Sequence, residues 1–129
     1  MITKENIQQA YAAMQSDNDF PTLVAKLIQL NVTEFSFFAH DGSELFKDAE
    51  GNEVQLDAKF PEQTIAPQAN AEQLYKDIKI HQQQETDFPT FLQQAAANGI
   101  AYWTVVFSEK SCIYFDTQHS EVLREALPG

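Results

Sequence analysis

Apolar side chains recur along this chain at two different intervals. Phe20, Leu23, Val24, Leu27 and Ile28 are spaced by three and four, and so are Phe88, Phe91, Leu92, Ala95 and Ala96. That spacing puts each set on one side of a helix. Further on the interval changes to two. Across 33–39 Phe35 and Phe37 fall on one face by alternation, and across 101–107 so do Trp103, Val105 and Phe107, so both stretches read as strands. Two weaker helical stripes lie upstream. Ile7, Ala10, Tyr11 and Met14 follow Thr3, while Leu74, Ile78 and His81 follow Asn70, which has Gln73 three residues on in a capping-box-like arrangement.

These matched patterns are anchored by a repeated tetrapeptide. Asp19-Phe20-Pro21-Thr22 returns as Asp87-Phe88-Pro89-Thr90, an offset of 68 residues. The same offset, without a gap, aligns Ser43 with Ser111, Asp48 with Asp116, Glu53 with Glu121, Val54 with Val122 and Ala58 with Ala126. Physical roles align as well. Each Asp stands where a carboxylate caps a helix start, and each Pro where the first turn tolerates it. Asn31 falls on Gly99, the two residue types that best accept the left-handed conformation after a helix.

Each strand then turns, through His40-Asp41-Gly42 or Ser108-Glu109-Lys110, into a return strand at 43–47 or 111–116. Pairing Phe107 with Ser111 puts Val105 opposite Ile113 and Trp103 opposite Phe115 on one face. A third strand follows at 53–58 and 121–126; the second could be a short helix, and the repeat favours strand. The expectation is an α+β fold in two layers, built from an internally duplicated helix-helix-strand-strand-strand unit. It has an antiparallel sheet, as one six-stranded sheet or two three-stranded halves, and approximate two-fold symmetry. The 129 residues read as a single domain of two repeats, about 1–58 and 70–127, joined by an extended, proline-bearing linker at 59–69.

Charge narrows the functional classes. Nineteen acidic and eight basic residues leave a net charge of −11. That surface repels a phosphate backbone, so direct nucleic-acid binding and anionic membranes are disfavoured, while a basic protein partner is allowed. No apolar run reaches the ~20 residues of a membrane span, and the start lacks the layout of a signal peptide. The lone Cys112 excludes an intrachain disulfide and fits a reducing cytoplasm.

The run Ile78-Lys79-Ile80-His81-Gln82-Gln83-Gln84-Glu85-Thr86-Asp87-Phe88 continues into Thr90-Phe91, Gly99-Ile100, Trp103 and Tyr114-Phe115-Asp116. It resembles the YbcV/YdfO-like family of small, uncharacterised bacterial and prophage-associated proteins, sometimes labelled phage envelope protein. The resemblance covers nearly the whole chain. It implies an α+β fold, a single domain and no assigned catalytic residue.

Six side chains stand out as a candidate ligand or partner surface: His81, Tyr102, Trp103, Thr104, Cys112 and Tyr114. His81 lies on the apolar side of its helix, where a hydrogen bond to a backbone carbonyl or to Asp87 would satisfy it; the alternative is a general base or ligand at the seam between repeats. The repeat places Ala13 at the matching position, so His81 is not part of the duplicated scaffold. Cys112 reads as a small hydrophobe, since a nucleophilic thiolate needs a cationic neighbour. His40, His81 and His119 show no metal-ligand spacing with it, so neither metal nor cofactor is expected.

Tyr102, Thr104, Cys112 and Tyr114 are expected on the sheet face away from the aromatic core, with Glu34, Ser36, Phe38 and Phe46 in the first half. Helices on one side only would leave these as an exposed patch; helices on both sides would cover them. The reading leans away from an enzyme, toward a protein-interaction module. The alternative is a small-molecule binder or modest enzyme, with a site at the seam lined by His81, Tyr102, Trp103 and Tyr114.

Overall fold

A computed structural model describes residues 2–14, 20–58, 60–83 and 85–126, with the backbone alone for Phe20. Its elements run α1 (Lys4–Ala12), α2 (Phe20–Gln29), β1 (Val32–Phe38), β2 (Glu44–Asp48), β3 (Glu53–Leu56), α3 (Ala71–Gln82), α4 (Phe88–Ala97), β4 (Tyr102–Val106), β5 (Ser111–Phe115) and β6 (Glu121–Ala126). The fold is α+β. The last segment is a strand, not a helix.

Helix starts follow local chemistry. The Thr3 hydroxyl accepts from the Asn6 amide, and the Asn6 side chain accepts from the Thr3 amide, closing a capping box. Asn70 accepts from the Gln73 amide, but Gln73 sends its own side chain to Asp77, so only half a box forms. Asp87 accepts from the Thr90 amide at 2.9 Å. The corresponding Asp19, and Phe20 as an apolar anchor, lie outside the described residues.

All six strands join one antiparallel sheet in the order β3-β2-β1-β4-β5-β6. The alternative of two three-stranded halves is set aside, because β1 and β4 pair along their length. One core cluster packs Ile7, Ala10, Leu23 and Leu27 of α1 and α2 against Phe35, Phe46 and Val105. A second packs Leu74, Ile78, Phe91, Leu92 and Ala95 of α3 and α4 against Phe37, Trp103 and Tyr114. By strand register these sheet residues share one face, so both helix pairs cover the same side. Phe35 stacks on Phe46 and Phe37 on Trp103, each with ring centroids 5.0 Å apart. Burying each such side chain contributes about 1.5–3 kcal/mol.

The hairpin β4–β5 departs from the expected register. Ser111 pairs with Val106, not Phe107, so Trp103 faces Tyr114 and Tyr102 faces Phe115. Phe107–Glu109 forms a 3-10 turn and Lys110 closes it with φ 51°. The loop is therefore one residue longer than the sequence reading assumed, and a one-residue slip inverts every side chain of the return strand. Cys112 and Tyr114 turn toward the helices; Ile113 and Phe115 turn away. Phe46 is corrected in the same way, since it pairs with Phe35 and is fully buried.

The 68-residue interval reappears in the backbone. Among the described residues, the left-handed ones are Asn31 and Gly99, Gly42 and Lys110, Gly51 and His119, three pairs at that spacing. Asp48 Oδ1 accepts from the amides of Glu50 and Asn52; Asp116 Oδ1 accepts from those of Gln118 and Ser120. Ser36 pairs across β1–β4 with Thr104, its counterpart at that interval, and their hydroxyls meet at 2.8 Å.

Residues 60–70 hold no regular structure before α3 but are fastened down. Phe60 N donates to Asp41 O, Gln63 N to His40 O and Ala66 N to Ala96 O, while Phe60 and Ile65 pack on the second core.

Candidate functional site

With four helices on one side, the opposite side of the sheet carries none of the described helices. Strand alternation brings to it Glu34, Ser36 and Phe38 of β1, Leu45 and Lys47 of β2, Tyr102, Thr104 and Val106 of β4, and Ile113 and Phe115 of β5. Tyr102 lies between two neighbours. Its ring stacks on Phe115 at 4.9 Å and 16°, and leans on Phe38 at 5.8 Å. These three half-buried rings form a row across three adjacent strands. The Tyr102 hydroxyl meets His119 Nδ1 at 2.9 Å, which fixes the outer end of the ring. Burial, then the charge of Asp116, raises its pKa, so Tyr102 stays a neutral phenol.

Ion pairs flank the row. Lys47 Nζ lies 3.8 Å from both Glu34 and Glu53, and Arg124 binds Glu109 at 2.8 Å and Glu121 at 3.2 Å. Lys47 and Arg124 are thus each matched by two carboxylates.

The candidate residues divide between the two sides. Tyr102 and Thr104 lie on the helix-free face as expected. Trp103, Cys112 and Tyr114 face the helices. Burial pushes the Cys112 thiol up to about 12 despite its bond with Tyr114, and Tyr114 is itself raised well above its ordinary value by burial. Cys112 is a partly buried thiol packed against both core clusters, beside Glu125 on β6, which Lys79 reaches at 3.2 Å.

His81 is half-buried and stacks on Phe91 at 4.5 Å and 14°. Its Nδ1 lies 3.1 Å from both the carbonyl and the hydroxyl of Thr86, not Asp87. Burial lowers its pKa, against opposing contributions from Thr86 and Asp87. A pocket lined jointly by His81, Tyr102, Trp103 and Tyr114 fails on geometry, because Tyr102 is across the sheet from Trp103 and Tyr114. A shallow cleft does exist elsewhere, between α1 and the end of β3, lined by Lys4, Gln8, Tyr11, Leu56, Asp57 and Ala58.

Two polar features escaped the sequence reading. Glu44 is fully buried under α1 and accepts from the Tyr11 hydroxyl. Burial, then Glu44's charge, drives Tyr11 well above its usual pKa. Asp77 and Asn98, both buried, join α3 to the end of α4 at 2.8 Å. Only the phase of β2 could have revealed Glu44: once Phe46 is inward, Glu44 and Asp48 must be too.

The fold and this face define a class: a helix layer on one side of a six-stranded antiparallel sheet whose other side carries none of the described helices. The chain belongs to the family described as "Protein of unknown function (DUF1398)", whose sequence model matches residues 8–126. No curated protein matches it. No described helix is long and apolar enough to cross a membrane.

Proposed function

We propose that this protein is a non-enzymatic interaction module that holds a protein partner against the helix-free face of its sheet. The observation that carries the reading is the placement of both helix pairs on one side, which leaves the Phe38–Tyr102–Phe115 row and the Ser36–Thr104 hydroxyl pair on the other. A sheet face bearing aromatic rings rimmed by ion pairs has the composition of a binding surface: rings at the centre, charge at the rim. We read the chain as one domain of two duplicated units of about 1–58 and 70–127, related by a rough two-fold axis that passes between Ser36 and Thr104. In the same reading it is a YbcV/YdfO-like, prophage-associated member of its family, working in the cytoplasm.

Site-specific photocrosslinking in cells tests the module. A benzoylphenylalanine at position 104 should give a discrete adduct with another protein, and one at position 76, on the solvent side of α3, should not. Adducts from position 76 alone, or from neither position, refute the reading.

A further inference from the structure

The aromatic row says more about the partner. Three features coincide at one end of the sheet. First, the rings of Phe38, Tyr102 and Phe115 form a continuous row, with the Tyr102 hydroxyl held by His119. Second, carboxylates head the same end. Asp41 follows β1 through the turn after Phe38, and Asp116 follows Phe115 directly. Asp116 is fixed by the amides of Gln118 and Ser120, while Asp41 takes the amide of Ser43 and lies 3.2 Å from His40 Nε2. Third, Lys47 and Arg124 on this face are each held between two carboxylates, so neither is free to neutralise the row.

Ring faces carry negative potential, and carboxylates beside them deepen it. A flat aromatic row could equally stack nucleobases, but a phosphate chain approaching a protein of net charge −11 is repelled. A second copy of this chain would bring the same negative charge against itself. Guanidinium groups meet both demands. They are planar, stack on aromatic faces and present donors to carboxylates; an ammonium offers the charge without the plane.

Resting on the interaction-module reading, we infer that the partner is a basic protein segment and that an arginine of it stacks on the Phe38–Tyr102–Phe115 row, with its guanidinium facing Asp116. The row is a recognition site for arginine, and the net charge draws the basic segment to it.

An NMR titration tests this with three synthetic peptides of equal length, built on Gly-Arg, Gly-Lys and Gly-Gln repeats, at physiological salt. The expected result is that the arginine peptide binds more tightly than the lysine peptide and shifts the amides of Phe38, Tyr102, Phe115, Asp116 and His119. Tyr102→Leu, which keeps an apolar side chain and removes the ring, should weaken arginine-peptide binding about fivefold and lysine-peptide binding less. Tyr102→Ala serves as a second variant, each compared with the wild-type spectrum for intact folding. Equal binding of the two basic peptides, insensitivity to Tyr102, or shifts confined to α1–α4 overturn the inference. A Gly-Gln peptide that binds the row as well overturns it too, and leaves the interaction face standing. Concentration-dependent shifts of the row without peptide would assign the face to a second copy and overturn it. Failure of the interaction module itself reads out separately, as loss of the adduct at position 104.

Discussion

Three pairs of left-handed residues, each 68 apart, make the backbone's demands measurable. Gly51 has φ +85° and nothing within 4 Å of where a Cβ would stand. Gly51→Ala therefore meets conformational strain alone. That strain costs about 1–2 kcal/mol, and the stiffer unfolded chain offsets about 0.4–1 of it, for a net loss near 1 kcal/mol. Gly99 has φ +80°, but its Cβ would lie 2.4 Å from Gln68 O and 2.7 Å from Ala69 Cα. Those are backbone atoms of a segment held by Asn70 N to Asn98 O and Ala66 N to Ala96 O, each 2.9 Å. Overpacking there adds about 1–3 kcal/mol, so Gly99→Ala should cost about 3 kcal/mol. The counterpart of Gly42 is Lys110, at φ 51°. Lys110→Gly should relieve strain and stabilise by about 0.5–1 kcal/mol. Urea unfolding followed by circular dichroism reads all three, provided the slope is unchanged between variants. Equal costs for Gly51→Ala and Gly99→Ala, or a destabilising Lys110→Gly, would refute the reasoning.

Two further outcomes follow from the buried titrating groups. His81 has a folded pKa below its unfolded value of about 6.5, so the unfolded chain binds the proton first. Stability should be level above that pH and decline as pH falls from 6.5 toward the folded pKa, and His81→Gln should flatten this window in pH-dependent urea midpoints. A second decline, below about pH 4, belongs to Asp41, Asp48 and Asp87, whose lowered pKa values stabilise the fold at higher pH. Native Cys112, with its pKa near 12, should resist a thiol reagent at pH 8 and react at once in denaturant; labelling of the folded protein would contradict its burial.

Much of the fold was legible because local signals agreed. Thr3, Asn70 and Asp87 cap the helices their side chains announce, and Asn31 and Gly99 end theirs in the left-handed conformation. The alternation of Phe35, Phe37, Trp103 and Val105 placed the inner face of β1 and β4 correctly. Loop length was the missing quantity. Lys110 gives no glycine-like signal for a left-handed position, so the four-residue loop before Ser111 could not be counted and Cys112 and Tyr114 read as facing away from the helices; Phe46, which the 68-residue interval aligns with Tyr114, carried the same inversion into the first half. The β5 residues that do lie on the bare face, Ile113 and Phe115, follow from the corrected register. The covering of one side only was not legible either, since helix stripes carry no label for the sheet face they seek. Glu44 stayed hidden because a buried carboxylate satisfied by Tyr11 reads, in sequence, as a surface charge.

Solvent paramagnetic relaxation bears most directly on the central claim that the sheet shows one aromatic face to solvent. With a soluble gadolinium chelate, the ring protons of Tyr102 and Phe115 should relax strongly, while those of Trp103 and Tyr114 stay protected. Protection of Phe115 with exposure of Tyr114, or protection of all four rings, would contradict the account.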